Sequence, residues 1–454
     1  MVSPVKNHIV TTVLLMLVSF YFLSVDVLAD KAAASLPDSN ILFPLHVAYL
    51  FVMAGGFLIF SMIYRPAEKA GKATAVMTAV CAAGLASMFG FILIHVQWAF
   101  IACVMICLFT AGMIGAGIYY YSAMALKGSG CTGRVCGIGI GGAAVLQIVL
   151  ISVSLPLMVE AVVLTAALAA AGCILMTHEK ADTSKCSSRN GNIKKTGKPA
   201  DRTVMFMILT VAVISVMGGI NDGVLSMMNA EGDLELYSFP RLFFLVGVVA
   251  AGYIADYKNR RYLPISILVI MLCAVVGIMF MNNTATLNIN ACIYSLFAGF
   301  AIIYFTVPFF DMAAASRDPA LWAGMGRVVR LIFLALGTVL MEAVLKDLAF
   351  TVTIIVFVIL AVVLVLLLWA AGMLMPPGRQ TAGHRDIGSF CRDHGFTKRE
   401  IEIFSMVYNG ASTAEAAEKL FLSEKTVRNH ISNMLAKTET RSRAEMFALA
   451  GREG

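Results

Sequence analysis

Charge is scarce in this chain. Asp, Glu, Lys and Arg make up 13% of its 454 residues, 59% are hydrophobic, and the mean hydropathy is +0.85. That is too little polar surface to coat a soluble globule of this length, so the bulk of the chain belongs in lipid. Metal-ligand and redox spacings are also missing. Ten cysteines are scattered, mostly in apolar stretches (Cys103, Cys107, Cys173, Cys273, Cys292), with no CxxC pair and no Cys/His cluster. Thiols so placed act as small apolar packers, and no metal, cofactor or disulfide framework is expected. The sequence has no Walker loop, nucleophile elbow, kinase core or receiver-type domain, and the chain is read as a non-enzyme.

Long charge-free intervals locate the membrane spans, because a helix needs about 20 mostly apolar residues to cross roughly 30 Å of hydrocarbon. Ala73 to Leu126 carries no charge and breaks only around His95, Gln97 and Trp98; Tyr262 to Phe310 repeats the pattern around Asn282, Asn283 and Thr284. Each holds two helices. Leu348 to Gly378 is one span, and stretches near 8–29, 41–64, 137–156, 158–177, 204–226, 237–255 and 322–345 bring the expected total to twelve. Lys6 followed by an apolar run and Val27-Leu28-Ala29-Asp30 also has the form of a secretory signal peptide. The length of the run and the parity of the later loops assign it to a retained helix.

Basic residues collect in cytoplasmic loops. On twelve helices one side receives Lys6, then Arg65, Lys69 and Lys72, then Lys127 and Arg134, then the run from Lys180 to Arg202. Lys258, Arg260, Arg261, Arg317, Arg327 and Arg330 are counted on the same side, while the other side has little beyond Lys31 and Lys346. This asymmetry places both termini in the cytoplasm and the protein in the cytoplasmic (inner) membrane.

A polar, basic segment, 178–203, divides the spans six and six, giving membrane halves 1–177 and 204–375; 376–394 is then a linker and 395–454 a soluble domain. Between spans eight and nine lies Gly252-Tyr253-Ile254-Ala255-Asp256-Tyr257-Lys258-Asn259-Arg260-Arg261. Gly252 permits close helix approach, Asp256 suits a helix start, and Arg260 and Arg261 anchor a loop at the inner leaflet. The segment resembles the G-x-x-x-D-x-x-x-R-R/K loop signature of the major facilitator superfamily. That resemblance implies two six-helix bundles around a midplane cavity. The corresponding first-half segment, Arg65 to Lys72, lacks the glycine and the aspartate.

Polar groups inside spans are costly and therefore candidates for a binding site. Gln147, Glu160, Asn221, Asp222, Arg241, Asp311 and Glu342 qualify, although several lie near interfaces where they are simply solvated. Asp222 and Arg241 have opposite charges on adjacent helices. They and Asn221 are the candidate ligand-binding residues, and such a pair either lines a site or braces two helices. Glycine clusters in spans four and five are assigned to close helix packing.

After Pro376 and Pro377 charges return and the apolar residues adopt helical spacing. Thr397 with Glu400, Ser412 with Glu415 and Ser442 with Glu445 are capping boxes, and Ser423 with Glu424 marks a further helix start. Four short helices result, with core positions Ile401, Phe404, Val407; Ala416, Ala417, Leu420; Val427, Ile431, Met434, Leu435; and Met446, Phe447, Leu449. Phe421 and Leu422 leave only a tight turn between the second and third helices, as in a helix-turn-helix.

The run from Thr397 to Ala450 resembles the LuxR-type, or GerE-like, DNA-binding domain. The matching positions are T-x-R-E at its start, Gly410, A-A-x-x-L before the turn, L-S-x-x-T-V-R-x-H, Lys437, and R-x-E at Arg443. That resemblance makes the helix from Ser423 to Lys437 the recognition helix in the major groove. Arg428 and Asn429 suit guanine and adenine edges, Lys425, Ser423 and Thr426 suit phosphate, and Ser432 completes the exposed face. Family members often carry a basic residue at the Ser432 position and a Leu-Gly-Val-like turn where Thr438, Glu439 and Thr440 stand. Dimerisation on double-stranded DNA is implied through the last helix.

The expected architecture is all-α: a polytopic membrane helix bundle, then a small four-helix DNA-binding domain. The expected function is a membrane-bound LuxR-type regulator whose bundle senses an unidentified small molecule. The alternatives are a secondary transporter with a regulatory DNA-binding tail, and a bundle that is an anchor only.

Overall fold

The computed structural model describes residues 4–33, 42–94, 96–153, 155–186, 201–230, 239–257, 260, 262–279, 284–345, 348, 350–370, 387–408, 412–440 and 442–453. Among them every regular element is helical. The chain divides into two compact units, Met1–Leu374 and Met375–Gly454.

The first unit holds α1 (Pro4–Ala33), α2 (Leu42–Lys69), α3 (Ala73–Leu93), α4 (Gln97–Ala125), α5 (Thr132–Ser152), α6 (Leu157–Cys186), α7 (Asp201–Ala230), α8 (Phe239–Asp256), α9 (Tyr262–Met279), α10 (Thr284–Tyr304), α11 (Val307–Ala315), α12 (Pro319–Leu340) and α13 (Phe350–Ala370). Among the described residues, eleven spans are long and apolar enough to cross a membrane, α10 and α11 together forming one of them. The expected ninth span is apolar but shorter, at Tyr262–Gly277. This is a multi-pass membrane protein. α10 breaks at Phe305 and Thr306 before a proline in the first turn of α11, where a missing N–H costs nothing. α12 starts on Asp318, whose carboxylate accepts from the Leu321 amide at 3.2 Å. A π-helical turn, Met341–Leu345, ends it.

Helix pairs α5/α8 and α2/α12 form the seams between the first six helices and the rest; α1 packs on α5, α7 on α12, and α8 on α10. Lipid tails are as apolar as leucine, so close packing rather than water exclusion holds such helices together. At the α5/α8 seam the backbones nearly touch: a Cβ on Gly252 would lie 2.6 Å from the carbonyl of Gly133. Tyr119 of α4 meets Phe57 and Phe310 edge-on at 5.7 and 5.4 Å, tying α2, α4 and α11 together.

The second unit holds α14 (Ile387–Asp393), α15 (Lys398–Tyr408), α16 (Thr413–Lys419), α17 (Glu424–Lys437) and α18 (Arg443–Glu453). Its own core contains Ile403, Phe404, Val407, Val427, Ile431, Met434 and Met446. α14 falls in the segment expected to be linker. It buries Phe390 and Cys391 in the same core, so among the described residues the second unit adds one short helix ahead of the four expected ones.

Candidate functional site

In the second unit, local caps set the helix-turn-helix. Ser412 and Glu415 form a reciprocal box at the start of α16, through Glu415 N–H to Ser412 Oγ at 3.2 Å and Ser412 N–H to the Glu415 carboxylate at 2.8 Å. These bonds hold the Glu415 carboxyl below the usual carboxylate range. The turn places Phe421 in the left-handed region (φ 55°) with its ring 95% exposed. Ser423 then caps α17 by accepting from the Thr426 amide at 3.1 Å.

Val427, Ile431 and Met434 of α17 point into the core, which leaves Lys425, Arg428, Asn429 and Ser432 exposed on the opposite face. Two expected roles meet prior engagements. Arg428 donates to the Glu424 carboxylate one turn back at 2.7 Å. Ser423 and Thr426 share a hydroxyl hydrogen bond at 2.8 Å, so capping occupies both beside any phosphate.

Two further residues hold α17 in place. Glu400 is 3% exposed, accepts from Thr397 N–H and from Lys437 Nζ, both at 2.7 Å, and so joins the start of α15 to the end of α17. Burial pushes its carboxyl up, but the Lys437 and Thr397 hydrogen bonds outweigh this and hold it below the ordinary glutamate range. Arg399 donates to the Leu420 carbonyl at 2.7 Å, fastening α15 to the turn itself.

In the first unit, Asp256 ends α8 against the first turn of α5. It accepts from the backbone N–H groups of Gly133 and Arg134 at 2.7 and 2.8 Å, so its charge meets the positive end of the α5 dipole. Arg134 and Arg260 donate to the same carboxylate at 3.2 and 3.1 Å, and Arg260 also grips Asp311. Arg261 lies outside the described residues. Arg65 of the first-half segment instead reaches Asp318 of α12 at 2.5 Å, forming an ion pair across the other seam.

Between the helices of the first unit is a cavity of about 190 Å³ lined from α1, α2, α7, α8, α10 and α12. Asp222 and Arg241 are on its wall; Asn221 is buried at 2% exposure and is not among the lining residues. Arg241 Nε donates to Gln147 Oε1 at 2.7 Å, and Gln147 in turn donates to the Leu23 carbonyl. Asp26, His46, Arg327 and Arg330 also line the cavity, and sequence reasoning had not placed them there. Arg327 and Arg330 were counted with the basic loops; both lie inside α12, two to three turns from its start. An i, i+3 arginine pair embedded in an apolar helix, facing Asp26 in the first span, was the available signal.

Residues 394–450 match the family described as bacterial regulatory proteins, luxR family. The chain is 49% identical over 49 residues to the spore germination protein GerE of Bacillus subtilis, which covers 11% of this chain and 66% of that protein. It is 47% identical over 55 residues to the uncharacterized transcriptional regulatory protein YhcZ of the same species (12% and 26%). With the DNA-binding transcriptional activator DevR/DosR of Mycobacterium tuberculosis it shares 36% over 81 residues (17% and 35%). The chain thus spans from about a quarter to two thirds of the length of these relatives, within the C-terminal part. The crystal structure of the human organic anion transporter MFSD10 (TETRAN) superposes with a TM-score of 0.58 at 12% identity, covering 81% of this chain and all of that one. The chain therefore carries a LuxR-type helix-turn-helix domain behind a membrane domain with the major facilitator fold.

Proposed function

We propose that the protein is a transcription regulator held in the cytoplasmic (inner) membrane, both termini cytoplasmic, whose bundle binds a small molecule and thereby alters DNA binding by the C-terminal domain. The observation that carries this reading is a charged cavity inside a transporter-like bundle, on the same chain as a LuxR-type reader. A ligand that prefers one of two bundle conformations shifts their populations by its differential affinity, and the tethered domain reports that shift. Arg428 and Asn429 read base edges while Lys425, Ser423 and Thr426 position the helix on phosphates and Ser432 completes the face turned to DNA; two copies pair on double-stranded DNA through α18.

The test begins with DNA crosslinked to the native protein, which supplies a target promoter for a reporter. Replacing the bundle by an unrelated multi-pass anchor is expected to leave DNA occupancy intact and abolish signal-dependent changes in the reporter. Unchanged regulation by that chimaera would reduce the bundle to an anchor.

A transporter with a regulatory tail is the second reading, favoured by the Gly133–Asp256–Arg260 arrangement at the α5/α8 seam. Proton-driven accumulation of substrate in vesicles would support it; ligand-dependent promoter activity without accumulation supports sensing.

A further inference from the structure

We infer that the bundle cavity is built for a small organic monoanion, with Arg327 and Arg330 as its anchoring cations. This rests on the reading of that cavity as the sensor's ligand site and names the ligand's chemical class.

The argument begins with charge. The wall carries three guanidiniums, Arg241, Arg327 and Arg330, against two carboxylates, Asp26 and Asp222. Counting these five groups alone, the formal excess is one positive charge. Arg241 is already engaged by Gln147. Arg327 and Arg330 differ: each has a buried Nε without a hydrogen-bond partner, and neither forms an ion pair among the described residues. Arg327 is only 8% exposed. Each guanidinium instead lies over a ring, Arg327 over Phe22 at 5.2 Å and Arg330 over Phe305 at 5.0 Å.

Burying an arginine in an apolar bundle is costly, and unlike lysine or histidine it cannot shed its proton to relieve the cost. The ring contacts recover part of that cost and hold the planar groups in place. What they leave unsatisfied are in-plane N–H donors, the groups that fit a carboxylate or a comparable oxyanion. The two arginines are three residues apart on α12, on the same face, so one oxyanion can bridge both. The two aspartates disfavour a ligand of higher negative charge.

Size narrows the class further. About 190 Å³ is room for about six waters and lies below the roughly 300–1,000 Å³ of sites for drug-sized molecules. Tyr49, Tyr294 and Phe244 supply flat walls around it. An aromatic or short aliphatic monocarboxylate meets both demands.

The experiment uses the full-length protein in lipid nanodiscs at constant ionic strength, with thermal unfolding and calorimetry as readouts. The probes are benzoate, its neutral counterpart benzamide, and the cation benzylammonium. Benzoate is expected to raise the unfolding midpoint while the other two leave it unchanged, and Arg327→Gln or Arg330→Gln should weaken benzoate binding at least tenfold. If a glutamine variant fails to fold, Arg327→Lys and Arg330→Lys keep the charge but not the fork, and weaker benzoate binding is again expected.

The inference is overturned if benzamide or benzylammonium stabilises as well as benzoate. It is equally overturned if benzoate and lactate both leave the parent unmoved, if inorganic phosphate stabilises the parent where they do not, or if the variants respond like the parent. Anion binding without any effect on the promoter reporter would sink the sensing reading and leave this one standing. A ligand-responsive promoter in a protein whose cavity ignores anions would do the reverse.

Discussion

At the scale of single residues, Arg428 shows how far side-chain type alone carries an assignment. In the proposed role it meets a guanine edge from the exposed face of α17, and Arg428→Ala is then expected to cost about 1–3 kcal/mol of site-specific DNA binding. A gel shift on residues 375–454 showing the same site preference for mutant and parent would refute this. The Glu424 contact adds a detail that spacing did not expose. Both partners are mainly exposed, so the pair is worth at most about 0.5 kcal/mol, and Glu424→Gln should tighten binding no more than about twofold. Glu400 is the opposite case, a nearly buried carboxylate with two charged or backbone donors. Glu400→Gln should destabilise the domain by about 2 kcal/mol at neutral pH. Because folding depresses the Glu400 value, its contribution is full above the unfolded value near 4.3 and is lost as pH falls through the depressed one. Urea unfolding of parent and variant should therefore converge in acid; a gap that persists to pH 2 would show that the carboxylate is not the cause.

At the scale of elements, legibility followed how local the physics was. The caps at Thr397, Ser412 and Ser423 involve partners three residues away, and each forms as the spacing predicts. Span positions were readable because lipid tolerates little charge. α14 was not readable: seven residues give no period, and Phe390 finds its place against rings that include His394 at 4.4 Å, Phe404 of α15 at 5.7 Å and Phe396 at 6.0 Å. Arg327 and Arg330 misled for a related reason. An arginine two turns into a span and one in the adjoining loop look alike in a tally of charge, and only the packing of α12 against α2 and α7 separates them. The G-x-x-x-D spacing told of a loop, but not that Asp256 would bind the backbone of α5, since that contact joins residues 123 positions apart. Asp256→Asn keeps an acceptor and removes the charge, so it should cost about 2 kcal/mol, whereas Gly252→Val must force α5 and α8 apart and should cost more. Denaturation in detergent micelles ranks the two, and equal midpoints for Gly252→Val and parent would mean that the seam is looser than the backbone contact implies.

At the scale of the whole molecule, the question is why a DNA reader with so little charge should be anchored at all. From 376 onward there are twelve Lys and Arg against ten Asp and Glu, a poor electrostatic hold on a phosphate backbone. Non-specific affinity grows with each phosphate neutralised, so a single copy of this domain has little of the sequence-independent grip on which free repressors slide. Holding copies together replaces that deficit with effective concentration, which can raise affinity by about 10² to 10⁴ without any new contact to DNA. The prediction is that residues 375–454 alone bind their target duplex weakly and with a shallow salt dependence, and that fusing them to an unrelated dimeric coiled coil recovers about a hundredfold in affinity. The salt slope per copy should stay the same in that fusion, because the gain comes from linkage rather than from further phosphate contacts. If the monomeric domain already binds at nanomolar concentration in 150 mM salt, pairing is not what limits it. The membrane bundle would then have to act on the orientation of the reader rather than on the meeting of two copies.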